Sequence, residues 1–332
     1  MSVNGFLAVE VNDLKKSFGP VKAVDGISFN VGQGELFGFL GPNGAGKTTT
    51  INMLTGLARP DSGTIRISGF EVTRHSKVAQ HLVGVVPDES NLYPELTGFE
   101  NLCFCAALYG IPKQERQRRA KELLNRFDLA EVAGRKFAGY SKGMKRKLTI
   151  AAGIIHRPPI LFLDEPTTGL DVASARQIRQ TIAELNNSGT TIFLTTHYIE
   201  EAERLCKRIA FIVSGKIIKI DTRENLLKPV KRQYVLLITL SGDSIRREIS
   251  PSKLSAAFPY LRFELYESGQ VRVKSSQPIP VGPLVRFFEE QGGEVLEARR
   301  VRPSLEEVFV ELTGIEIELM KREKEKSGGA GL

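Results

Sequence analysis

Residues 41–48 read GPNGAGKT and match G-x-x-x-x-G-K-[ST] at every fixed position. They lie between an apolar strand candidate, residues 35–40, and a helix candidate that starts near Gly46. Glycines let successive backbone N–H groups face phosphate oxygens, and a Cβ there would hold the phosphates away. The helix presents the positive end of its dipole to the same anion. The stretch therefore predicts a phosphate-binding loop, and the alternative is a glycine-rich turn with a chance lysine.

Two side chains at the end of this loop carry the expected chemistry. Lys47 supplies a mobile positive charge for the β- and γ-phosphates of a nucleotide. Thr48 supplies a hydroxyl group, a ligand that suits Mg²⁺.

An acidic pair, Asp164 and Glu165, ends a second apolar strand candidate, residues 160–163. A carboxylate at the tip of a buried strand is costly to desolvate unless it meets a cation. We expect Asp164 to hold Mg²⁺ directly or through its water, and Glu165 to polarise an attacking water as a general base. The alternative is a solvated pair at a strand end, which the nearby phosphate loop disfavours.

His197 ends the next strand candidate, in the sequence TTH. Its imidazole could hydrogen-bond a γ-phosphate or the lytic water, which makes it a candidate catalytic residue. Together with Glu200 or Glu201 it also has the i, i+3/i+4 spacing of a metal site on a helix. No third ligand is evident in the sequence, so the phosphate role is favoured.

The composition is that of an ordinary globular protein of about two domains: 332 residues, 41% apolar and 25% charged. No uncharged apolar run approaches the roughly 18 residues that cross a bilayer, and no signal peptide is apparent. A membrane role is therefore expected to come through a partner. The net charge of +8 is compatible with anionic partners and equally with solubility alone. Three cysteines without C-x-x-C spacing suit a reducing cytosol.

Strand and helix signals alternate through residues 1–228, which predicts an α/β domain with a largely parallel central sheet preceded by antiparallel hairpins. Within it, residues of about 90–156 show charged helical patterns and predict an inserted helical subdomain. Lys228-Pro229 breaks the pattern. Residues 229–315 then read βαββαβα, compatible with a small ferredoxin-like α+β domain. Residues 316–332 are charged and glycine-rich and are predicted to be disordered.

Further motifs extend the pattern of the phosphate loop. ILFLDEP contains the acidic pair, GLD occupies residues 169–171, THYIEEAE contains His197, and YSKGMKRKL occupies residues 140–148. In order and spacing over roughly residues 6–230, the chain resembles the ATP-binding subunit of an ABC transporter. The resemblance implies an ABC-type P-loop NTPase core that hydrolyses ATP with Mg²⁺.

The resemblance also assigns roles to residues. Phe18, in KKSFG, matches the aromatic residue that stacks on adenine, and the alternative is a core aromatic. Ser141 and Gly143 match signature residues that bind the γ-phosphate of ATP seated in a partner subunit. Ser141 is also predicted to be the N-cap of the helix that runs to about His156. Asp171 matches the residue that links the two sites of the dimer. The phosphates themselves are expected to be held by Gly41, Pro42, Asn43, Gly44, Ala45, Gly46, Lys47, Thr48 and Thr49.

The sequence departs from the family pattern at two places. Asp88 stands where the family usually has a glutamine whose carbonyl reaches Mg²⁺ and the attacking water. Asp88 can still offer a hard oxygen to the metal, but it adds negative charge and lacks the amide donor. In the signature, Lys142 and Met144 replace a glycine and a glutamine.

The segment RRVRPSLEEVFVELTG is similar to the C-terminal extension of ATPases of the daunorubicin-resistance and sodium-export type. This likeness implies an exporter with a separately encoded membrane permease. The ABC family pattern implies that the helical subdomain near residues 88–109 meets this permease at the cytoplasmic face of the membrane, and that the ATPase subunits form a homodimer or heterodimer in the ATP-bound state.

Two other functions compete with transport. An ABC-type ATPase acting on nucleic acid or ribosomes is permitted by the basic charge, but its relatives carry tandem cassettes or long coiled-coil insertions, which this chain lacks. A nucleic-acid partner is therefore not expected. A non-hydrolytic nucleotide sensor is disfavoured by the intact pair Asp164 and Glu165.

Overall fold

The computed structural model describes residues 7–231, 234–241, 251–266, 269–301 and 304–315. The chain divides into two compact units, one that reaches Arg223 and one that comprises Glu224–Gly314. A helix spans Arg223–Lys231 and continues across Lys228-Pro229, where the sequence pattern breaks. The predicted tail, residues 316–332, lies outside the described residues.

A four-stranded antiparallel sheet opens the first unit. Strands β1 (Leu7–Phe18) and β2 (Val21–Gly32) form a long hairpin, as the sequence predicts. Two further strands, β4 (Ser62–Ile67) and β5 (Phe70–Glu71), complete the order β2-β1-β4-β5. Along β2, buried and exposed residues alternate from Ile27 onward, which is the pattern of a sheet with one face on the core.

A six-stranded sheet forms the centre of this unit in the order β10-β9-β3-β8-β7-β6. All its neighbouring strands run parallel except the hairpin of β9 and β10. Strands β3, β7 and β8 are buried along their whole length, because both faces of a parallel sheet are covered. The strands are β3 (Leu36–Leu40), β6 (Val83–Val86), β7 (Ile160–Asp164), β8 (Thr191–Thr196), β9 (Arg208–Val213) and β10 (Lys216–Thr222).

Phenylalanine rings join the two sheets of the first unit. Phe29 on β2 lies 5.7 Å, between ring centroids, from each of Phe37 and Phe39 on β3 and Phe193 on β8. These rings are buried, and their close packing fixes the antiparallel sheet against the central one. The loop that follows β3 is consequently attached to a rigid support.

Seven helices of the described residues up to Leu205 connect these strands, and an eighth follows β10. Residues 90–156, all of them described, hold three helices and two short 3₁₀ turns, with one isolated bridge between Thr97 and Lys136. This confirms the predicted helical character of that region. The helices are α1 (Lys47–Leu54), α2 (Ser76–His81), α3 (Gly98–Leu108), α4 (Lys113–Arg126), α5 (Lys142–Ile154), α6 (Val172–Asn187), α7 (Ile199–Leu205) and α8 (Arg223–Lys231).

The second unit confirms the predicted βαββαβα order, and its sheet has the antiparallel ferredoxin-like order β12-β13-β11-β14. Its core joins alternate residues of β11, such as Leu236 and Ile238, to Leu284 and Phe288 of α10. The elements are β11 (Tyr234–Ser241), α9 (Pro251–Ala257), β12 (Arg262–Leu265), β13 (Gln270–Ser275), α10 (Val281–Glu290), β14 (Glu294–Val301) and α11 (Leu305–Thr313).

Candidate functional site

The glycine-rich loop joins the end of β3 to α1. A Cβ on Gly41 would lie 2.1 Å from the carbonyl oxygen of Ile212, and one on Gly46 would lie 2.3 Å from that of Ala23. Both glycines are thus required by the packing of the chain on itself. At Gly44 (φ 74°) no heavy atom of the described residues lies within 4 Å of such a Cβ. From the sequence we expect Gly41, Gly44 and Gly46 all to be needed for the approach of phosphate, but among them the structure leaves open space only beside Gly44.

Lys47 is the first residue of α1, and its ammonium group is buried inside the loop. It donates hydrogen bonds to the carbonyl oxygens of Gly41, at 2.9 Å, and Pro42, at 3.1 Å. Its Nζ also lies 3.0 Å from Oε1 of Glu165, within ion-pair distance. The next residue, Thr48, is exposed. The loop therefore places a cation and an accessible hydroxyl at adjacent positions.

Glu165 directly follows β7 and has a left-handed backbone, with φ 49°. Its N–H donates to the carbonyl oxygen of Thr195 at 3.1 Å. Its Oε2 accepts a hydrogen bond from Thr168 Oγ1 at 2.9 Å and lies 2.6 Å from Nδ1 of His197. Strands β7 and β8 are neighbours in the parallel sheet. Glu165 and His197, which follow these two strands, therefore meet at one edge of the sheet.

The surroundings of Glu165 favour its charged form. Burial by itself raises the pKa of this carboxyl group, but the hydrogen bond with His197 and the charge of Lys47 outweigh it and lower the pKa to about 2. Because an ionised carboxylate only accepts hydrogen bonds, Nδ1 of His197 is assigned as the protonated nitrogen. The carboxylate can thus accept a hydrogen bond from water at neutral pH.

Asp164 ends β7 and is buried at 3% exposure. Its Oδ1 accepts a hydrogen bond from Thr195 Oγ1. Thr195 therefore orients both acidic residues, since its carbonyl also holds the N–H of Glu165. Sequence reasoning missed Thr195, although a threonine inside an apolar strand is a signal of a buried polar contact.

The alternative metal site at His197 finds no support in the geometry. Glu201 is buried, its Oε1 accepts from Thr167 Oγ1 at 2.8 Å, and burial raises its pKa. Glu200 pairs with Arg204 on the surface of α7 at 2.6 Å. Among the described residues, no group of three or more histidines, cysteines or acidic residues could hold a metal ion. His197 faces Glu165 instead.

Asp88 follows β6 and lies beside Arg146 of α5. Nη2 of Arg146 donates to the backbone carbonyl of Asp88 at 2.6 Å and lies 3.5 Å from its Oδ1. Arg146 was also missed from the sequence, because it stands in the middle of the basic run Lys145–Lys147, which reads as a solvated helix face. In the structure it is buried.

The signature and the GLD motif meet at the starts of two helices. Ser141 caps α5, accepting a hydrogen bond from the N–H of Met144 at 3.3 Å, and this confirms the predicted cap. Asp171 caps α6, accepting from the N–H of Ser174 at 2.8 Å. A Cβ on Gly143 would lie 2.7 Å from Ser174 Oγ, so this glycine allows the two helix ends to approach.

Phe18 lies at the end of β1 with 56% of its surface exposed. Nζ of Lys16 lies 5.5 Å from the centre of its ring. This exposure removes the alternative that Phe18 is a core aromatic.

A lysine in the glycine-rich loop after β3 that faces a carboxylate at the end of β7, with β8 between these two parallel strands, defines the class of P-loop nucleotide hydrolases. The sequence pattern of the ABC transporter family matches residues 24–168. The chain is 36% identical over 306 residues to the linearmycin resistance ATP-binding protein of Bacillus subtilis, covering 92% of this chain and 98% of the relative. It is 38% identical over 310 residues to the daunorubicin/doxorubicin resistance ATP-binding protein of Streptomyces peucetius, covering 92% of each.

Solved structures agree with this assignment. An ATP-binding subunit of an ABC transporter superimposes with a TM-score of 0.62 at 31% identity, covering 67% of this chain and 93% of that one. A dimeric ATP-binding cassette in a post-hydrolysis state with ADP and Pi superimposes with a TM-score of 0.60 at 28% identity, covering 65% and 98%. The chain belongs to the ABC transporter family as an ATP-binding subunit, and it is an ATPase.

Proposed function

We propose that this ATPase powers export of a substrate through a separate membrane permease. The proposal is carried by the meeting of Lys47, Glu165 and His197 at one edge of the sheet, which suits hydrolysis rather than nucleotide sensing. The export direction is supported by the relatives, which include a Nod factor export ATP-binding protein of Rhizobium etli at 36% identity over 94% of this chain and 95% of the relative. No helix of the described ranges is long and apolar enough to cross a membrane.

Nucleotide binding requires Lys47 to change partners. Its ammonium now faces the carboxylate of Glu165 and two loop carbonyls, and it must turn from Glu165 to contact a phosphate. The open side of the loop at Gly44 leaves room for that phosphate, and the exposed ring of Phe18 offers a face for adenine. Backbone N–H groups from Asn43 through Thr49 complete the phosphate contacts, because Pro42 has no N–H and that of Gly41 donates to the carbonyl oxygen of Thr196.

The residues also fit a magnesium ion, because hydroxyl and carboxylate oxygens are its preferred ligands. Thr48, Asp164 and Asp88 would hold it, the first exposed at the start of α1 and the second at the end of β7. A bound Mg²⁺ supplies charge neutralisation for the β- and γ-phosphate oxygens.

Glu165 accepts a proton from the attacking water as the water oxygen bonds to the γ-phosphorus and ADP leaves, and His197 fixes the orientation of that carboxylate. The low pKa of Glu165 keeps it ionised before each turnover. Loss of the ion pair with Lys47 on nucleotide binding removes one cause of that low pKa, so the carboxylate becomes a stronger base when it is needed.

Dimerisation completes each site. Ser141 and Gly143 of one subunit contact the γ-phosphate of ATP held by its partner, and Asp171 connects the two sites. Support comes from the caps of α5 and α6, which lie together at their exposed N-terminal ends, and from the dimeric state of the related cassette. The pair is a homodimer or a heterodimer, closed when ATP is bound.

The permease meets the helical region near residues 88–109, at the cytoplasmic face of the membrane. This surface exposes apolar side chains, of which Tyr93, Phe104 and Leu108 are 51%, 39% and 69% exposed. Tyr93 and Phe104 pack edge to face with centroids 5.0 Å apart, which gives the surface a defined shape.

Affinity purification of the tagged chain from detergent-solubilised membranes tests this function. We expect an integral membrane protein of about six membrane-spanning helices in the eluate. The variant Leu108→Asp should lose it, and Leu57→Asp, at a leucine after α1 that is 68% exposed, should retain it. ATPase activity that rises with ribosomes or DNA instead would overturn the proposal.

A further inference from the structure

The guanidinium group of Arg146 is buried and has no part in the function proposed above. It lies at 8% exposure on α5. Its Nη1 donates to the carbonyl oxygen of Pro87 at 2.6 Å, and its Nη2 donates to that of Asp88 at 2.6 Å and to that of Glu165 at 3.5 Å. One side chain thus joins three structural elements: α5, the segment after β6 and the end of β7.

The shape of the guanidinium group makes this connection specific. A buried charge is tolerated only when its donors are satisfied, and arginine presents five donors in a rigid planar fork. Nη1 donates to the carbonyl oxygen of Pro87 and Nη2 to that of Asp88. Nη2 also lies 3.5 Å from Oδ1 of the Asp88 carboxylate. The single ammonium group of a lysine could not reproduce this planar arrangement.

The contact with Glu165 falls on a strained residue. A non-glycine residue in the left-handed region persists only where its neighbours hold it. At Glu165, with φ 49°, the N–H is held by Thr195. The carbonyl oxygen accepts from the N–H of Thr168 at 3.2 Å and from Arg146 at 3.5 Å. Arg146 is the one of these partners that also holds the segment at Asp88.

We propose that Arg146 is a positioning residue for hydrolysis, which links the backbone at Asp88 to the backbone of Glu165. Movement of the segment at Asp88 then moves the carboxylate that accepts the water's hydrogen. The inference rests on the proposed function of Glu165. The same contact explains why position 88 is an aspartate, because the negative charge of Asp88 offsets the positive charge of the buried guanidinium group.

Three variants test the link. Arg146→Lys keeps the positive charge but loses the planar set of donors. Arg146→Gln removes the positive charge, so that no unpaired charge is buried. Arg119→Lys is the matched control, because Arg119 is also partly buried and donates to a backbone carbonyl, that of Ile155 at 3.1 Å, away from the site. Each variant is measured for binding of a fluorescent ATP analogue, for phosphate release, and for hydrogen exchange of residues 86–92 without nucleotide.

For Arg146→Lys we expect kcat to fall by about 10- to 100-fold, with analogue affinity changed less than about twofold. Hydrogen exchange of residues 86–92 should rise, and that of residues 41–49 should stay as in the wild type. The Arg119→Lys control should match the wild type in all three. If Arg146→Lys does not fold, the same outcomes apply to Arg146→Gln.

An unchanged kcat in the folded variant, or a loss of affinity equal to the loss of rate, would overturn the positioning role. If the wild-type protein itself releases no phosphate, the proposed hydrolytic function fails. In that case hydrogen exchange alone tests whether Arg146 holds the backbone at Asp88, and unchanged exchange of residues 86–92 in the variants rejects this contact.

Discussion

His197 Nδ1 lies 2.6 Å from Oε2 of Glu165, at the ends of two neighbouring parallel strands. The other carboxylate oxygen faces Lys47 at 3.0 Å. The carboxylate is therefore held between an imidazole that orients it and a cation that a phosphate would attract away. This arrangement makes the roles of the three residues separable by experiment.

Removal of the imidazole should affect turnover more than binding. His197→Ala leaves Glu165 with one fewer orienting partner, and we expect kcat to fall by about 10- to 100-fold. ATP affinity should change little, because the imidazole hydrogen-bonds to Glu165, which accepts from the attacking water and does not hold the phosphates. Steady-state phosphate release and analogue binding measure the two quantities. The exposed His75→Ala should behave as the wild type, and an equal kcat in both variants would contradict the assignment.

Lys47→Ala should weaken ATP binding by about 100-fold, because a charge-assisted contact to phosphate is lost. Isothermal titration calorimetry of the purified chain measures this directly. Lys113→Ala, on the exposed first turn of α4, is the charge-matched control. Wild-type affinity in the Lys47 variant would show that the nucleotide lies elsewhere.

Ser141→Arg should prevent the ATP-dependent dimer while leaving nucleotide binding to the monomer intact. The long cationic side chain would stand at the start of α5, where the partner's nucleotide is expected. Light scattering with ATP in the slowly hydrolysing Glu165→Gln background measures the dimer. Ser76→Arg, at the exposed start of α2, should dimerise normally. A dimer in both variants argues against a site shared across the interface.

His156 should make stability depend on pH. Its ring stacks on Tyr109 at 3.6 Å between centroids, and Nε2 lies 3.0 Å from the carbonyl oxygen of Val83. Burial lowers the pKa of His156 from 6.5 to about 4. Between these values the unfolded chain binds a proton that the native chain does not, so the free energy of unfolding decreases as pH falls.

Urea unfolding at several pH values between 7 and 4 measures this contribution. His156→Phe retains the stacked ring and removes the titrating group, so its stability should decrease less over that window. His75→Phe, at an exposed histidine, should keep the wild-type dependence. A His156→Phe curve parallel to that of the wild type would refute the role of His156.

Local sequence signals predicted much of the fold and part of the site. The glycine-rich loop, the acidic pair at the end of β7 and the Ser141 cap each depend on a few consecutive residues. The βαββαβα order of the second unit was predicted in the same way, from the alternation of strand and helix patterns along the chain. Such features can be read from the order of residues alone.

Contacts between distant segments were not predictable in this way. Of the basic run Lys145–Lys147, Arg146 is the buried residue, and its partners at Pro87 and Asp88 follow a strand far away in the sequence. Gly41 likewise resembles a phosphate-contacting glycine, yet its lack of a Cβ is required by the carbonyl of Ile212 on β9. Both of these contacts depend on which elements are neighbours in the folded chain, and a single sequence does not show which elements are neighbours.

The central claim is that Glu165 acts on the water that attacks ATP bound by the glycine-rich loop. Its most direct test is phosphate release by wild type and Glu165→Gln at saturating ATP and Mg²⁺, with ATP affinity measured in parallel. We expect Glu165→Gln to turn over at least about 100-fold more slowly while its affinity for ATP is equal or higher, because Lys47 loses its competing carboxylate. Near-normal phosphate release by Glu165→Gln would contradict the claim.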